Sequence, residues 1–498
     1  MTSVVETDPR AGVRLGTAAG RRLLAATVLG SALVSLDATV VTVAVPRIGA
    51  SLDVAMVGAQ WVMSAYMVAL ASLIPVGGAL GDRYGRRAVL LWGTVGFALA
   101  SLWCGLAGTI ESLVAARVAQ GVAGALVTPG SLALLSAAID PRDRGRAIGL
   151  WAGFGGVAGA LGPVAGGWLV ESAGWRAAFL VNVPLAIVVV IVAARISERR
   201  EPRVGGRPDL LSSALFVASL AVTSYGLIDA RWWWALAGAV ALVAVSVGQA
   251  HTRDPLIPPA PFRSRTFTAV NLATFPAYAA LGCGLFLLVL QLQVSAGYPP
   301  AAAGAATIPV TALMLVMSGW SGGYAQRHGA RAPMTIGSIT AGLGTALLSG
   351  VGAHAPYPSA VLPGVTLLGV GLGILVTPLT AAVFAAVRTE DSGLASGVNN
   401  AVARAGQLLG IAAIPSVVGI SRTSLTAAGG LDGGYRAGMW ICGGLFVLAA
   451  ALSAFLLPRA VTTRDAGARP RTAGPRYVYR GPRMLSRRSE PAPSLPPG

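Results

Sequence analysis

Asp37 stands in LVSLDATVVTVAVP, with no other charged residue between Arg22 and Arg47. A carboxylate set that deep in an apolar run is costly unless it is paired, hydrated or protonated. The penalty on its charged form is also what lets such a group load and release a proton. Ionisable residues within such runs mark transport pathways, which makes Asp37 a candidate proton carrier. The plainer alternative is a carboxylate hydrogen-bonded to a neighbouring helix. Arg117, in SLVAARVAQGVAGA, poses the mirror problem: a guanidinium in an apolar run needs acceptors, from a carboxylate or from backbone carbonyls. Arg404 follows Asn399 and Asn400 near the start of a later run, where snorkelling to the interface explains it as well as any function.

Other chemistries find little support. Enzymatic work needs convergent polar groups, and the three histidines (His251, His328 and His354) fall between apolar runs with no clustered ligands or Ser/His/Asp set. The expectation is no catalytic site, no metal and no cofactor. Cys104, Cys283 and Cys442 all lie inside apolar runs, without disulfide or metal spacing, and read as small core-filling residues.

The elements that must position these groups are membrane helices. The chain of 498 residues is 54% hydrophobic and only 11% charged, more apolar surface than a soluble fold can hide. Its 65 glycines show no collagen-like period and suit close approach of membrane helices. Apolar runs recur near 23–45, 58–80, 89–109, 112–138, 147–170, 177–195 and 209–228. They continue near 232–250, 268–292, 302–322, 333–352, 361–387, 397–420 and 438–457, fourteen in all. Each is long enough to cross about 30 Å of hydrocarbon. An even count puts both termini on one side.

The formal charge of +18 invites a nucleic-acid reading, but the basic residues sit in short connections rather than along one face. All 37 are arginine. With the N-terminus inside, the inner segments before the C-terminal tail hold 21 arginines and the outer loops five: Arg47, Arg176, Arg231, Arg422 and Arg436. That asymmetry places both ends in the cytoplasm and the chain in the inner membrane. The first run is too long for a signal peptide and lacks a nearby cleavage pattern, so it reads as the first span. The organisation expected is a cytoplasmic segment 1–22, a six-helix bundle 23–200, two additional helices with their loops at 201–265, and a second six-helix bundle 266–458. Residues 459–498, rich in Arg, Pro, Ser and Gly, read as a disordered cytoplasmic tail facing anionic lipid.

One connection carries a pattern of its own: Gly78-Ala79-Leu80-Gly81-Asp82-Arg83-Tyr84-Gly85-Arg86-Arg87. Glycines permit a tight reversal, with Gly85 at positive φ. Asp82 can accept from a helix N-terminus or from the neighbouring arginines and latch two helices together. Farther on, Gly155, Gly159, Gly162, Gly166 and Gly167 make a stripe nearly free of side chains, with Pro163 bending the helix, suited to pressing on a partner and sealing a cavity. Ordinary close packing is the simpler use of such a stripe. The run Gly369-x-Gly371-x-Gly373 receives only that packing reading.

These strings resemble the major facilitator superfamily. Gly78, Leu80, Asp82, Arg83, Gly85, Arg86 and Arg87 fall in register with its G-x-L-a-D-r-x-G-r-k signature. LDATVVTVAVPRI at 36–48 is similar to the first-helix signature of drug:proton antiporters, with Asp37 as its acid. LVAARVAQGVAGA at 113–125 is similar to the fourth-helix motif, which puts Arg117, Gln120 and Gly121 on key positions. GGVAGALGPVAGG at 155–167 is similar to the antiporter motif of the fifth helix, followed by Trp175-Arg176 and FLVNVP as in the fourteen-helix branch. GWSGGYAQRHGARAP at 319–333 resembles a degraded second copy of the turn motif, with Gln326 where the aspartate would be.

The resemblance implies an all-α polytopic fold, with two six-helix bundles around a central cavity and two extra central helices. It implies a monomeric antiporter that exports small amphipathic drugs or antibiotics in exchange for protons, with Asp37 and Arg117 in proton coupling and no nucleic-acid partner. Trp61, Tyr66, Phe275, Tyr278 and Phe286 are candidates to hold a greasy substrate, although aromatic residues in spans also pack or mark interfaces. A dedicated metabolite, peptide, sugar or siderophore is an alternative cargo. A membrane receptor or embedded enzyme is the rival from another class.

Overall fold

The computed structural model describes residues 12–196, 210–249, 252, 261–387, 392–420 and 431–459. It is helical throughout these segments. The first group of helices is α1 (Ala18–Leu52), α2 (Met56–Tyr84), α3 (Arg86–Leu106), α4 (Ile110–Ala138), α5 (Pro141–Ala173), α6 (Ala177–Leu180) and α7 (Asn182–Ala194). Next come α8 (Leu210–Ile228) and α9 (Trp232–Gln249). The last group is α10 (Arg265–Val294), α11 (Pro300–Ala305), α12 (Ile308–His328), α13 (Arg331–Leu348), α14 (Leu362–Ala385), α15 (Ser392–Val417) and α16 (Asp432–Leu456). The C-terminal unit Val461–Gly498, where a disordered tail is expected, lies outside the described residues.

Helix starts are set by local chemistry. Thr17 Oγ1 accepts from Gly20 N at 3.1 Å, Asp140 accepts from Arg142 N at 2.8 Å, and Ser264 Oγ accepts from Phe267 N at 3.3 Å. Each satisfies a backbone donor that the first turn leaves orphaned. Tight reversals fall on glycines: Gly85 at φ 100° between α2 and α3, and Gly329 at φ 87° between α12 and α13. The positive φ expected at Gly85 is therefore present, and the second copy of the motif turns in the same way at Gly329.

The two outer groups repeat one set of pairings. In the first, α2 and α3 pack on α4, α1 on α5, and α7 on both α1 and α3. In the second, α12 and α13 pack on α14, α10 on α15, and α16 on both α10 and α13. The halves meet reciprocally: α5 packs against α11, and its counterpart α15 packs against α2. The α8–α9 pair sits beside this seam, with α8 touching both α2 and α15.

Among the described residues, twelve helices are long and apolar enough to cross a membrane. The fourteen expected runs exceed that number by two. Runs 333–352 and 397–420 do form helices, α13 and α15, but these are not among the twelve. The physical reason is their composition. Helix α13 is rich in Gly, Ser and Thr, and α15 carries Asn399, Asn400, Arg404 and Gln407.

One end of the bundle carries the N-terminal segment, where Val13 N donates to Ala138 O at 2.8 Å and Leu15 N to Asp143 Oδ2 at 2.9 Å. The α2–α3, α4–α5 and α12–α13 turns share that end, called the terminal side below; the opposite end is the distal side.

Candidate functional site

Asp37 and Arg117 lie in different helices, and the fold brings them together. Arg117 Nη1 donates to Asp37 Oδ2 at 2.7 Å, and both side chains are fully buried. The other carboxylate oxygen, Oδ1, accepts from Gln120 Nε2 at 2.9 Å and from Asn182 Nδ2 at 2.8 Å. Gln120 follows Arg117 by three residues, so the two share a face of α4. It also accepts from Arg117 Nη1 at 2.6 Å and donates to Ser101 Oγ at 2.8 Å. Arg117 Nε donates to Val62 O at 3.0 Å, and the guanidinium stacks 4.1 Å from the centre of the Tyr66 ring. One carboxylate thus ties α1 to α4 and α7, and through them to α2 and α3. Two polar atoms of the cluster, Arg117 Nη2 and Asn182 Oδ1, are buried and have no hydrogen-bond partner among the described residues.

Such a pair does two things. Breaking a buried, hydrogen-bonded pair from one side costs about 3–5 kcal/mol, because the other charge is stranded. Neutralising Asp37 by protonation removes the charge that Arg117 faces without removing any atom of the framework.

A separate cavity of about 360 Å³ lies between the halves. Trp151 and Thr128 contribute to it from the first half, and Tyr278, Asn400, Arg404 and Gln407 from the second. The lining runs from mid-helix, at Tyr278, Arg404 and Gln407, toward the terminal ends of the helices, at Thr128, Trp151 and Asn400. At the distal side the halves are in contact. Gln60 Nε2 donates to Ile411 O at 2.9 Å, Gln293 Nε2 to Val43 O at 3.1 Å, and Ala301 N to Glu171 Oε2 at 3.2 Å.

The glycine stripe of α5 divides by position. A methyl on Gly162 would stand 2.8 Å from Thr39 Cβ, one on Gly166 2.9 Å from Val40 Cα, and one on Gly167 2.7 Å from Ala301 Cα. Gly162 and Gly166 thus seat α5 on α1, whereas Gly167 seats it on α11 across the seam. Gly155 has only Ser31 Oγ nearby, at 3.6 Å, and Gly159 has open space. Helix α5 runs unbroken through Pro163, whose carbonyl oxygen lies against Gly304 of α11. Gly121 plays the same part for α4, where a methyl would meet Ala69 Cβ at 2.8 Å.

At the α2–α3 turn, Arg86 Nη1 donates to Ala133 O at 3.1 Å, and Arg87 donates to the carbonyls of Ala193 at 3.0 Å and Ala194 at 2.6 Å. Arg87 thereby satisfies carbonyls at the C-terminus of α7. The Arg83 guanidinium lies 5.5 Å from the Tyr84 ring centre. A Cβ at Gly78 would meet nothing within 4 Å. The Asp82 side chain, expected as a latch, lies outside the described ones.

Of the five aromatic residues expected to hold substrate, Tyr278 lines the cavity. Tyr66 is buried beneath Arg117, Phe286 is buried in the second half, and Phe275 is 40% exposed and not among the residues that line the cavity. Trp61 packs against Tyr225 of α8, with ring centres 6.4 Å apart. Sequence reasoning missed Asn182 and Ser101 as parts of the Asp37 cluster. The available signal was an amide and a hydroxyl inside otherwise apolar runs.

Comparison with known proteins shows the family. The family model described as Major Facilitator Superfamily matches residues 27–411 and 270–488. The tetracenomycin C resistance and export protein of Streptomyces glaucescens is 32% identical over 423 residues, spanning 82% of this chain and 78% of that one. The multidrug resistance protein Stp of Mycobacterium tuberculosis is 34% identical over 407 residues, spanning 79% of this chain and 75% of its own. Among solved structures, the POT family transporter PepTSo superposes with a TM-score of 0.65 at 14% identity, covering 87% of this chain and 97% of that one. A D-xylose–proton symporter superposes with a TM-score of 0.61 at 16% identity, covering 88% and 98%. At those identities the two structures speak for the fold alone. By the family match and the curated relatives together, the chain belongs to the Major Facilitator Superfamily.

Proposed function

We propose that this chain exports small amphipathic drugs or antibiotics across the cytoplasmic membrane in exchange for protons, by alternating access. The names of its relatives as resistance and export proteins support the cargo class. The observation that carries the coupling is the buried Asp37–Arg117 pair, where a proton can change the charge balance inside the first bundle. In this reading α13 and α15 also cross the membrane, giving fourteen spans with both termini cytoplasmic. The arginine asymmetry supports that orientation. The terminal side is then the cytoplasm, and the conformation is inward-facing, with its cavity toward the cytoplasm and its distal seam closed.

Coupling runs along α1. Asp37 lies six residues before Val43, whose carbonyl closes the distal seam with Gln293 of α10. Protonation removes the charge attraction that holds α1 to Arg117 of α4 and leaves the weaker amide hydrogen bonds, and the contacts α1 makes with α5 and α10 shift with it. Substrate and proton then compete through one helix rather than through one shared pocket.

The test is substrate-induced proton movement in everted membrane vesicles, followed with a pH-sensitive dye across a chemically varied drug panel. The expected result is dye dequenching by some compounds in wild type and none in Asp37→Asn. Wild-type transport rates in Asp37→Asn would sink the coupling assignment.

A further inference from the structure

We propose that the cavity between the halves is selective for organic acids, with Arg404 as the residue that recognises the anionic group. The proposal rests on the export reading for its premise that the cavity holds cargo. Among the described residues, Arg404 is the sole charged one lining the cavity, with no aspartate, glutamate or histidine beside it. It has no hydrogen bond or ion pair among the described residues. Snorkelling does not account for it: α15 begins at Ser392, so Arg404 stands twelve residues along the helix, roughly 18 Å at 1.5 Å per residue.

The hydrogen-bonding inventory points the same way. A guanidinium and an indole N–H can only donate. Trp151 Nε1 and Thr128 Oγ1, on the first-half wall, are both buried without a partner. Asn399 spends its amide N–H groups on Asn271 Oδ1 at 3.1 Å and Thr274 Oγ1 at 3.0 Å, which fixes the wall rather than a ligand. The cavity thus sets a donor-only guanidinium on one wall and a donor-only indole on the other, beside the amides of Asn400 and Gln407 and the hydroxyls of Thr380, Ser396 and Tyr278, which carry no charge and can donate or accept. A carboxylate or phenolate oxygen accepts from such groups and takes a guanidinium bidentately. A cationic cargo would meet like charge with no carboxylate among the described lining residues to offset it, and a neutral one would leave the charge of Arg404 uncompensated. Ile74, Pro129, Leu132 and Ala403 supply the apolar wall for the body of the molecule. A cavity of about 360 Å³ suits a few fused rings.

The experiment uses one ring system with three charges: anthracene-2-carboxylate, its methyl ester and 2-anthracenylmethylammonium. Binding to the purified full-length protein in nanodiscs is read by equilibrium dialysis, with folding checked by size exclusion and circular dichroism. Wild type is expected to bind the acid about tenfold or more tighter than the other two, the worth of one charge-assisted contact. Arg404→Gln loses that preference, Arg404→Lys keeps it in weakened form, and Arg404→Glu transfers it to the ammonium. Equal binding of the three by wild type, no binding of any by folded protein, or an acid preference that survives Arg404→Gln overturns the proposal. Transport of the acid into everted vesicles is scored separately. Selective binding without proton-driven transport would remove the export reading and leave the Arg404 assignment in place.

Discussion

Asn182 Nδ2 donates to Asp37 Oδ1 at 2.8 Å, the same oxygen that Gln120 holds from a different helix. The carboxylate is therefore gripped from α4 and α7 at once. Its orientation does not depend on the arginine alone. Replacing Asn182 with leucine leaves that oxygen short of one donor inside the protein. The expected cost is about 1–3 kcal/mol, read as a lower thermal midpoint of the purified protein. A midpoint equal to wild type would mean that Asn182 only fills space.

The ion pair itself is best tested as a cycle. Asp37→Leu or Arg117→Met alone strands a buried charge and is expected to destabilise by about 3–5 kcal/mol. The double variant replaces the pair with apolar side chains and is expected to recover much of that loss while remaining unable to transport. Additive losses would show that the two residues stabilise the bundle independently.

The antiporter glycines are expected to separate into two classes. Gly159→Ala meets open space and exchanges glycine for a better helix former, so stability is unchanged or rises by up to about 1 kcal/mol. Gly167→Val drives a side chain into Pro300 and Ala301 of α11. Its expected effect is loss of transport together with a fall in disulfide yield between cysteines placed at Glu171 and Ala301. Equal transport by the two variants would argue that the stripe is packing and nothing more.

Gln60 bridges the halves at the distal side through Ile411 O and Ala412 O, at 2.9 and 3.3 Å. Gln60→Ala removes one buried bridge, worth about 0.5–1.5 kcal/mol, which shifts a two-state equilibrium roughly two- to tenfold. Spin labels at Gly108 and Ala353, both in distal loops, should report a larger population at long distance. An unchanged distance distribution would show that the seam is held elsewhere.

The helical plan was legible because lipid imposes it: a membrane-crossing backbone must satisfy itself within helices, and apolar runs of the right length have few other uses. The turn at Gly85 was legible for a similar reason, since its backbone conformation favours a residue without Cβ. Asp37 and Arg117 stood out singly because charge at depth is expensive, and the fourth-helix string put Gln120 beside them. Asn182 did not stand out, because an amide in FLVNVP carries no charge and its meaning depends on which helix α7 faces. The substrate aromatics were harder still. In a membrane protein both the lipid face and the cavity face are apolar, so side-chain type does not distinguish Tyr278, which lines the cavity, from Phe286, which is buried in the second half.

Arg404, the sole charge among the described residues that line the cavity, has an electrical consequence. If an acid leaves as a monoanion while one proton enters, each cycle carries two elementary charges inward rather than one. Across 100 mV, negative inside, that is worth about 4.6 kcal/mol, at roughly 2.3 kcal/mol per charge. The cavity that Arg404 lines would thus double the work that the membrane voltage puts into each export cycle, relative to a neutral cargo.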